Sequence, residues 1–284
     1  MTEFKYYVTQ CIFRKMVPIK YFLKIRYFLK SQDAVSEVLD FVTILGILML
    51  SFSLIGLVGY PALKNAQQAR YIENTQQSFI VLADNINKVA VGQSPSHEGV
   101  LKIYGGSLSV TGGSIIQVNA TGYNSTTHSS EEVSIETDMG RIESSIGDTV
   151  VAYEGTGVWV KNPTGYVLNV YRPLITNRSD MLIIPFITLN GNSSTAGTGM
   201  SKITFCQQEI TSEEGGCGTP RIIHWSNVSN VTVIITGDYT SGWQDYFNNT
   251  MKWSKSTDGS YTARLNTTNL DVYILKSNIY TVIT

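Results

Sequence analysis

The pattern of apolar and polar positions changes twice along this chain. From Phe41 to Tyr60 it reads FVTILGILMLSFSLIGLVGY, twenty residues without a charge, long enough at helical rise to cross the ~30 Å hydrocarbon core of a bilayer. The core helix of a globular domain is the other reading of such a run, but that helix would show a polar face. Here Thr43, Ser51 and Ser53 are the interruptions, and their hydroxyls can bond back to carbonyls one turn earlier. After Pro61 the apolar positions become periodic: Ala62, Ala66, Ala69, Ile72, Phe79, Ala83, Ile86 and Ala90 fall on one helical stripe. Pro61 can kink this helix without ending it, and Gly92 and Pro95 stop it. The pattern predicts one long helix over residues 33–92 with its membrane span at about 41–60. A sheet, or a second copy in a coiled coil, must cover the later stripe.

From about Gly99 the period falls to two. VLKIY, SLSV, SIIQV, EVSIET, TVVAY, GVWVK, YVLNVY, MLIIPFITL, KITFC, NVTVIIT, DVYIL and IYTVIT are short β-rich runs, separated by Gly, Asn, Asp and Ser clusters. Tyr104-Gly105-Gly106 and Asn162-Pro163-Thr164-Gly165 read as turns, and Pro185 belongs at an edge or a bulge. One short helix breaks the series, SGWQDYFNNT, with Ser241 as its cap and Trp243 and Phe247 packing from one face. The fold class expected is α+β: a long N-terminal transmembrane and amphipathic helix, then an antiparallel β-sandwich-like domain over residues 99–284.

Charge orients the span. Residues 1–32 carry Lys5, Arg14, Lys15, Lys20, Lys24, Arg26 and Lys30 against the single acid Glu3, whereas Lys64 and Arg70 are the cations just beyond the span. Lysine and arginine are retained on the cytoplasmic side, so residues 1–32 form a basic cytoplasmic leader and the β-domain lies outside the cell. The leader repeats YFLK at Tyr21 and Tyr27, an aromatic and cationic pattern suited to membrane lipid. It is not a secretory signal peptide, because the apolar run is too long and no cleavage site follows it. Translation can start at Met1 or Met16 with the same basic character. The net charge of −1 over 284 residues gives no sign of a nucleic-acid partner.

Residues Asp33 to Gly46, DAVSEVLDFVTILG, resemble the N-terminal region of archaeal type IV pilin-like proteins, in which a short basic leader precedes a motif of the AVSPVIG kind and a hydrophobic helix. Ala34, Val35 and Ser36 match that motif, while Glu37 replaces its proline and Asp40 its glycine, as in a divergent branch of unknown function. The likeness continues through the stretch from Val58 to Val89 and at SGWQDYFNNT. It implies a prepilin peptidase as partner, cutting on the cytoplasmic side, here between Gln32 and Asp33. Glu37 then becomes the fifth mature residue, the position at which pilins pair a glutamate with the α-amino group of a neighbouring subunit. A carboxylate at membrane depth is costly without such a partner. In a plain anchored protein the same glutamate would be solvated at headgroup level.

Topology sorts the remaining chemistry. Cys11 lies in the leader, whereas Cys206 and Cys217 flank QQEITSEEGG outside, where an oxidising medium allows a disulfide. A zinc site on Cys206, Cys217 and His224 is the alternative, but it lacks a fourth ligand at a fitting spacing. Glycosylation sequons stand at Asn119, Asn124, Asn177, Asn192, Asn227, Asn230, Asn248 and Asn266, all after the span. His97, His128 and His224 are isolated from any nucleophile or metal motif, and the pairs Glu131-Glu132 and Glu213-Glu214 are adjacent residues that a strand would point apart. No cofactor or catalytic residue is expected. The sequence reads as a non-enzymatic, membrane-anchored pilin-like surface protein, a filament subunit or minor pilin. A single-pass adhesin or envelope protein that never polymerises is the second reading, and an anchored hydrolase the third.

Overall fold

A computed structural model describes residues 37–124, 129–208, 219–255 and 261–284. Every residue from Glu37 to Ala90 is helical: α1 (Glu37–Leu54), one π-helical turn (Ile55–Gly59) and α2 (Tyr60–Ala90). Thr43 and Ser51 donate to the carbonyls of Leu39 and Ile47 at 2.7 and 2.8 Å, as their positions predict. The wide turn has a local cause. Pro61 lacks an N–H and its ring collides with the carbonyl four residues back, and that residue, Leu57, lies inside the π turn, where the ladder is already opened. One helix among the described residues, Leu39–Ala90, is long and apolar enough to cross a membrane.

The chain divides into two compact units, one ending at Lys64 and one from Asn65 to Thr284. The boundary falls inside α2. In the second unit, thirteen strands follow α2: β1 (Ser96–Thr111), β2 (Ile115–Asn124), β3 (Ser129–Asp138), β4 (Arg141–Ile146), β5 (Thr149–Glu154), β6 (Gly157–Lys161), β7 (Val167–Tyr171), β8 (Thr176–Asn177), β9 (Met181–Asn190), β10 (Ser194–Gln208), β11 (Arg221–Thr236), β12 (Ser254–Lys255) and β13 (Tyr261–Ile283). Before β12 come α3 (Thr240–Asp245) and a second π turn (Tyr246–Met251). The strands form one hydrogen-bonded network in the order β3-β2-β11-β13-β10-β1-β4-β5-β6-β7, with β12 and the pair β8-β9 attached through β13. Pairing is antiparallel except for β9 against β13.

The 23-residue β13 organises this network. Its first part pairs with β11, its last part with β10, and β9 runs along its other edge. Successive strand residues face opposite sides, and β13 uses both. Val272 and Ile274 enter one core with the interiors of β2, β9 and β11, Trp243 of α3, and Tyr246 and Phe247 of the π turn after it. Ile279 and Ile283 enter a second core, where β1, β4, β5, β6 and β10 pack against Phe79, Leu82, Ala83, Ile86, Val89 and Ala90 of α2. β9 makes the same change of face, Leu182, Ile184 and Phe186 lying in the first core and Ile187 and Leu189 in the second.

Several local expectations meet this fold directly. Asn162 to Gly165 is a turn, closed by Gly165 N–H donating to the Asn162 carbonyl at 2.8 Å. Pro185 sits where β9 is paired with β13 alone, β8 reaching only Leu182 and Ile183. Tyr104-Gly105-Gly106 is not a turn: β1 runs through it as a bulge, with Gly105 at φ 79°, a conformation open to glycine without a Cβ penalty. Ser241 is not the cap of the short helix either. The helix starts one residue earlier, and the Thr240 hydroxyl bonds the Gly237 carbonyl at 2.7 Å.

Candidate functional site

Two regions carry features beyond ordinary packing. The first is the apolar helix. From Leu39 to Leu63 its large apolar side chains are all exposed, Phe52 67% and Leu57 74%, so nothing in the described chain takes them out of water. Transfer of such side chains to an apolar phase is worth roughly 1.5–3 kcal/mol each, and a surface of this kind marks a membrane or partner contact.

The second region is the β5–β6 hairpin, whose turn is buried. Residues 151–160 are buried without exception, although chain connections usually stay in water to satisfy their backbone. Gly155 and Thr156 form a two-residue loop with φ of 58° and 69°, as a type I′ turn requires. Glycine is the residue for the first position. A Cβ there would stand 2.5 Å from Cζ2 of Trp243. Thr156 is the exception, a β-branched residue at positive φ, which is strained and held by its surroundings: its hydroxyl accepts the Leu174 N–H at 2.8 Å and its carbonyl accepts Asn87 Nδ2 at 3.1 Å. Asn87 belongs to α2 and also accepts the Tyr153 hydroxyl at 2.8 Å. Burial pushes the Tyr153 phenol well above its ordinary range.

Glu154 precedes the turn and is wholly buried. Its Oε2 accepts the Ser114 N–H at 2.9 Å, its Oε1 accepts Trp243 Nε1 at 3.1 Å, and its carbonyl accepts Trp159 Nε1 at 3.0 Å. The two indoles stand 4.6 Å apart, and Trp243 continues into Phe247 and Tyr246 at 6.1 Å each. Thus Trp243 and Phe247 share one packed face, as their spacing predicts. Burial raises the Glu154 carboxyl above its usual value, against the lowering effect of Ser114, Trp243 and Arg141.

Arg141 of β4 stands opposite Glu154 in register, but its guanidinium is spent elsewhere, on Glu143 at 2.7 Å and Asp238 at 2.8 Å. It lies 5.5 Å from the Tyr239 ring centre, and the Tyr239 hydroxyl donates to Glu143 Oε1 at 2.9 Å. Burial is opposed there by Glu143 and Asp238, so the arginine is held charged. Sequence reasoning missed this cluster because β4, RIESSI, was not among the expected strands. Its signal was the alternation of Ile142, Ser144 and Ile146, all buried.

The residues singled out from sequence scatter. Gln32 and Asp33 lie outside the described residues, as does His128, and Glu37 is the first residue of α1. Cys206 is half-buried on β10, whereas Cys217 and Glu213-Glu214 lie outside the described residues. His224 stacks on Tyr273 at 4.5 Å, with Asp271 at 3.6 Å. No group of three metal-ligating side chains occurs among the described residues. Asn177, Asn192, Asn227 and Asn266 are exposed, and Asn119, Asn230 and Asn248 are half-buried. Asn119 is further occupied by the Ser134 hydroxyl at 2.6 Å. Asn124 ends β2.

A family model described as a family of unknown function, DUF7289, matches residues 34–279. No curated protein and no solved structure matches the chain.

Proposed function

We propose, for a chain that belongs to the DUF7289 family of unknown function, the role of a pilin-like surface protein anchored by one helix. The N-terminus lies in the cytoplasm, the β-domain faces the medium, and the mature helix joins a filament. The observation that carries this reading is the helix itself, exposed and apolar through Leu63 and then continuing into the core of a β-domain without a linker. A flexible tether would suit a free anchored domain. The family match also begins at Ala34, next to the bond proposed for cleavage, so the leader lies outside the matched region.

In this role a prepilin peptidase cuts between Gln32 and Asp33, and Glu37 pairs with the new α-amine of another subunit. Losing one partner of a buried charge pair costs about 2–5 kcal/mol, so Glu37→Gln impairs assembly and leaves insertion intact. N-terminal mass spectrometry, paired with recovery of sheared filaments from wild type and mutant, tests this. The expected result is an N-terminus at Asp33 and sheared material in the wild type alone. An uncut N-terminus with no sheared material in either strain overturns the filament role and leaves a non-polymerising adhesin or envelope protein. Outside the cell, Cys206 and Cys217 close their loop as a disulfide, and alkylation of both without reductant would exclude it. Sugars attach at exposed sequons such as Asn177, Asn192, Asn227 and Asn266.

A further inference from the structure

Unpaired strand edges invite pairing with other chains, and folded sheets guard them with charge, proline, bulges or brevity. Among the described residues most free edges of this network are guarded in these ways. β3, at one end of the path, carries Glu131, Glu132, Glu136 and Asp138 and no lysine or arginine. β7, at the other end, is short and has Pro173 close behind it. β9 beyond its pairing with β8 holds Pro185 and is largely buried. The free half of β1 carries Glu98 and Lys102 and ends in the bulge at Gly105, and the free half of β11 begins with Arg221 and ends in the register shift after Trp225. β8 and β12 are two residues long.

One stretch has no such guard. β10 pairs with β1 from Ser194 to Cys206 but with β13 only from Ile203 to Gln208, so from Ser194 to Ser201 its second edge meets no strand among the described residues. Both ends of the opening are fixed. Lys202 and Thr284 exchange backbone hydrogen bonds at 2.9 Å each way, and the Ser193 carbonyl accepts the Val110 N–H at 2.9 Å. Between them the sequence is STAGTGMS, without a charge or a proline. Ala196 to Met200 are all exposed, Met200 at 68%. A glycine-rich, uncharged strand is weakly held to one register and one partner.

We propose that this edge of β10 docks the same stretch of a second copy, the two pairing antiparallel about a two-fold axis so that one sheet runs through both β-domains. Three observations select that occupant. A two-fold contact sets a stretch against its own image, and Ser194–Ser201 has no charge to oppose to itself, whereas β3 paired with itself would set carboxylates against carboxylates. The opening between Thr284 and Ser193 has the length of the stretch, so a copy running the other way fills it and displaces neither end. Apart from Met200 the side chains are small, and Gly199 has nothing within 4 Å of where a Cβ would stand, so two backbones can approach to the ~4.8 Å of paired strands. The pairing requires the β-domain and not the filament role, and either can fail without the other.

The test uses the full chain in detergent micelles, as wild type, Gly199→Glu, Thr198→Cys and Glu136→Cys. A side chain at Gly199 meets open space, and Gly197, at φ 119°, is left in place. Light scattering over a range of concentrations reads the mass of the assembly, and circular dichroism reads the fold. The expected result is a wild-type dimer whose association weakens at least about tenfold in Gly199→Glu, because the contact then brings like charges together, with the spectrum unchanged. Mild oxidation should link two copies through Thr198→Cys, beyond any linkage in the wild type, and not through Glu136→Cys on β3. A wild-type monomer overturns the proposal. So does a dimer unmoved by Gly199→Glu, which another surface must hold, and so does equal cross-linking by both cysteine variants. If Gly199→Glu does not fold, the cysteine variants decide: Thr198→Cys must cross-link where Glu136→Cys does not, or the docking is wrong.

Discussion

Between Leu39 and Leu63 the helix exposes its large apolar side chains all round, whereas between Phe79 and Ala90 it buries one stripe, with Phe79, Ala83, Ile86, Val89 and Ala90 at 0% exposure and Val81, Asp84 and Lys88 left outside. Backbone hydrogen bonding is the same in both stretches. What differs is the solvent each sequence is written for. A surface apolar in every direction has no preferred neighbour within a folded domain and suits a hydrocarbon phase. A stripe at helical spacing selects one cover, here the sheet. Between them, Ala62, Ala66 and Ala69 continue the periodicity on residues that the sheet leaves exposed.

This difference can be broken by substitution. Phe79→Ala removes a fully buried ring from the α2 core and should cost about 3–5 kcal/mol of domain stability, read as a lowered melting temperature. Phe52→Ala, in the exposed stretch, should leave that temperature unchanged. An equal loss from both would mean that the apolar stretch also packs within the folded chain. Leu48→Arg makes the converse test, because a cation at the centre of a span costs about 2.5–3.5 kcal/mol of insertion. The variant should shift from the membrane to the soluble or degraded fraction, and wild-type membrane recovery would count against a span. The smallest effect belongs to the polar side of α2. Lys88 and Asp84 pair at 2.6 Å but are about half exposed, so Lys88→Ala should cost no more than roughly 0.3–0.5 kcal/mol. A larger loss would show that this face, too, is covered.

The helix was legible in the sequence because a charge-free run and a stripe are strong local signals, and its end at Ala90 lies one residue from the Val91 that precedes Gly92. Most strands were legible by alternation, but not their lengths. Tyr104-Gly105-Gly106 looked like a turn because the residues of a tight turn are also those of a bulge, and the pairing partner decides between them: β10 continues opposite β1 on both sides of Gly105. The dipeptides of β8 and β12 are strands only by virtue of β9 and β13. The division of β13 between two cores was visible as a change of phase from Val272 and Ile274 to Ile279 and Ile283, though DVYIL and IYTVIT read as two strands. The buried cluster was not legible. Arg141, Glu143, Glu154 and Asp238 meet only after the β4–β5 register and the docking of α3 are set, and local sequence carries neither.

The placement of the β-domain outside the cell is the claim on which the account rests, and protease added to intact, wall-free cells tests it most directly. The account predicts that the chain beyond the span is digested, leaving a membrane-protected fragment that ends shortly after Tyr60. Full protection of the β-domain in intact cells, with digestion only after lysis, would contradict it.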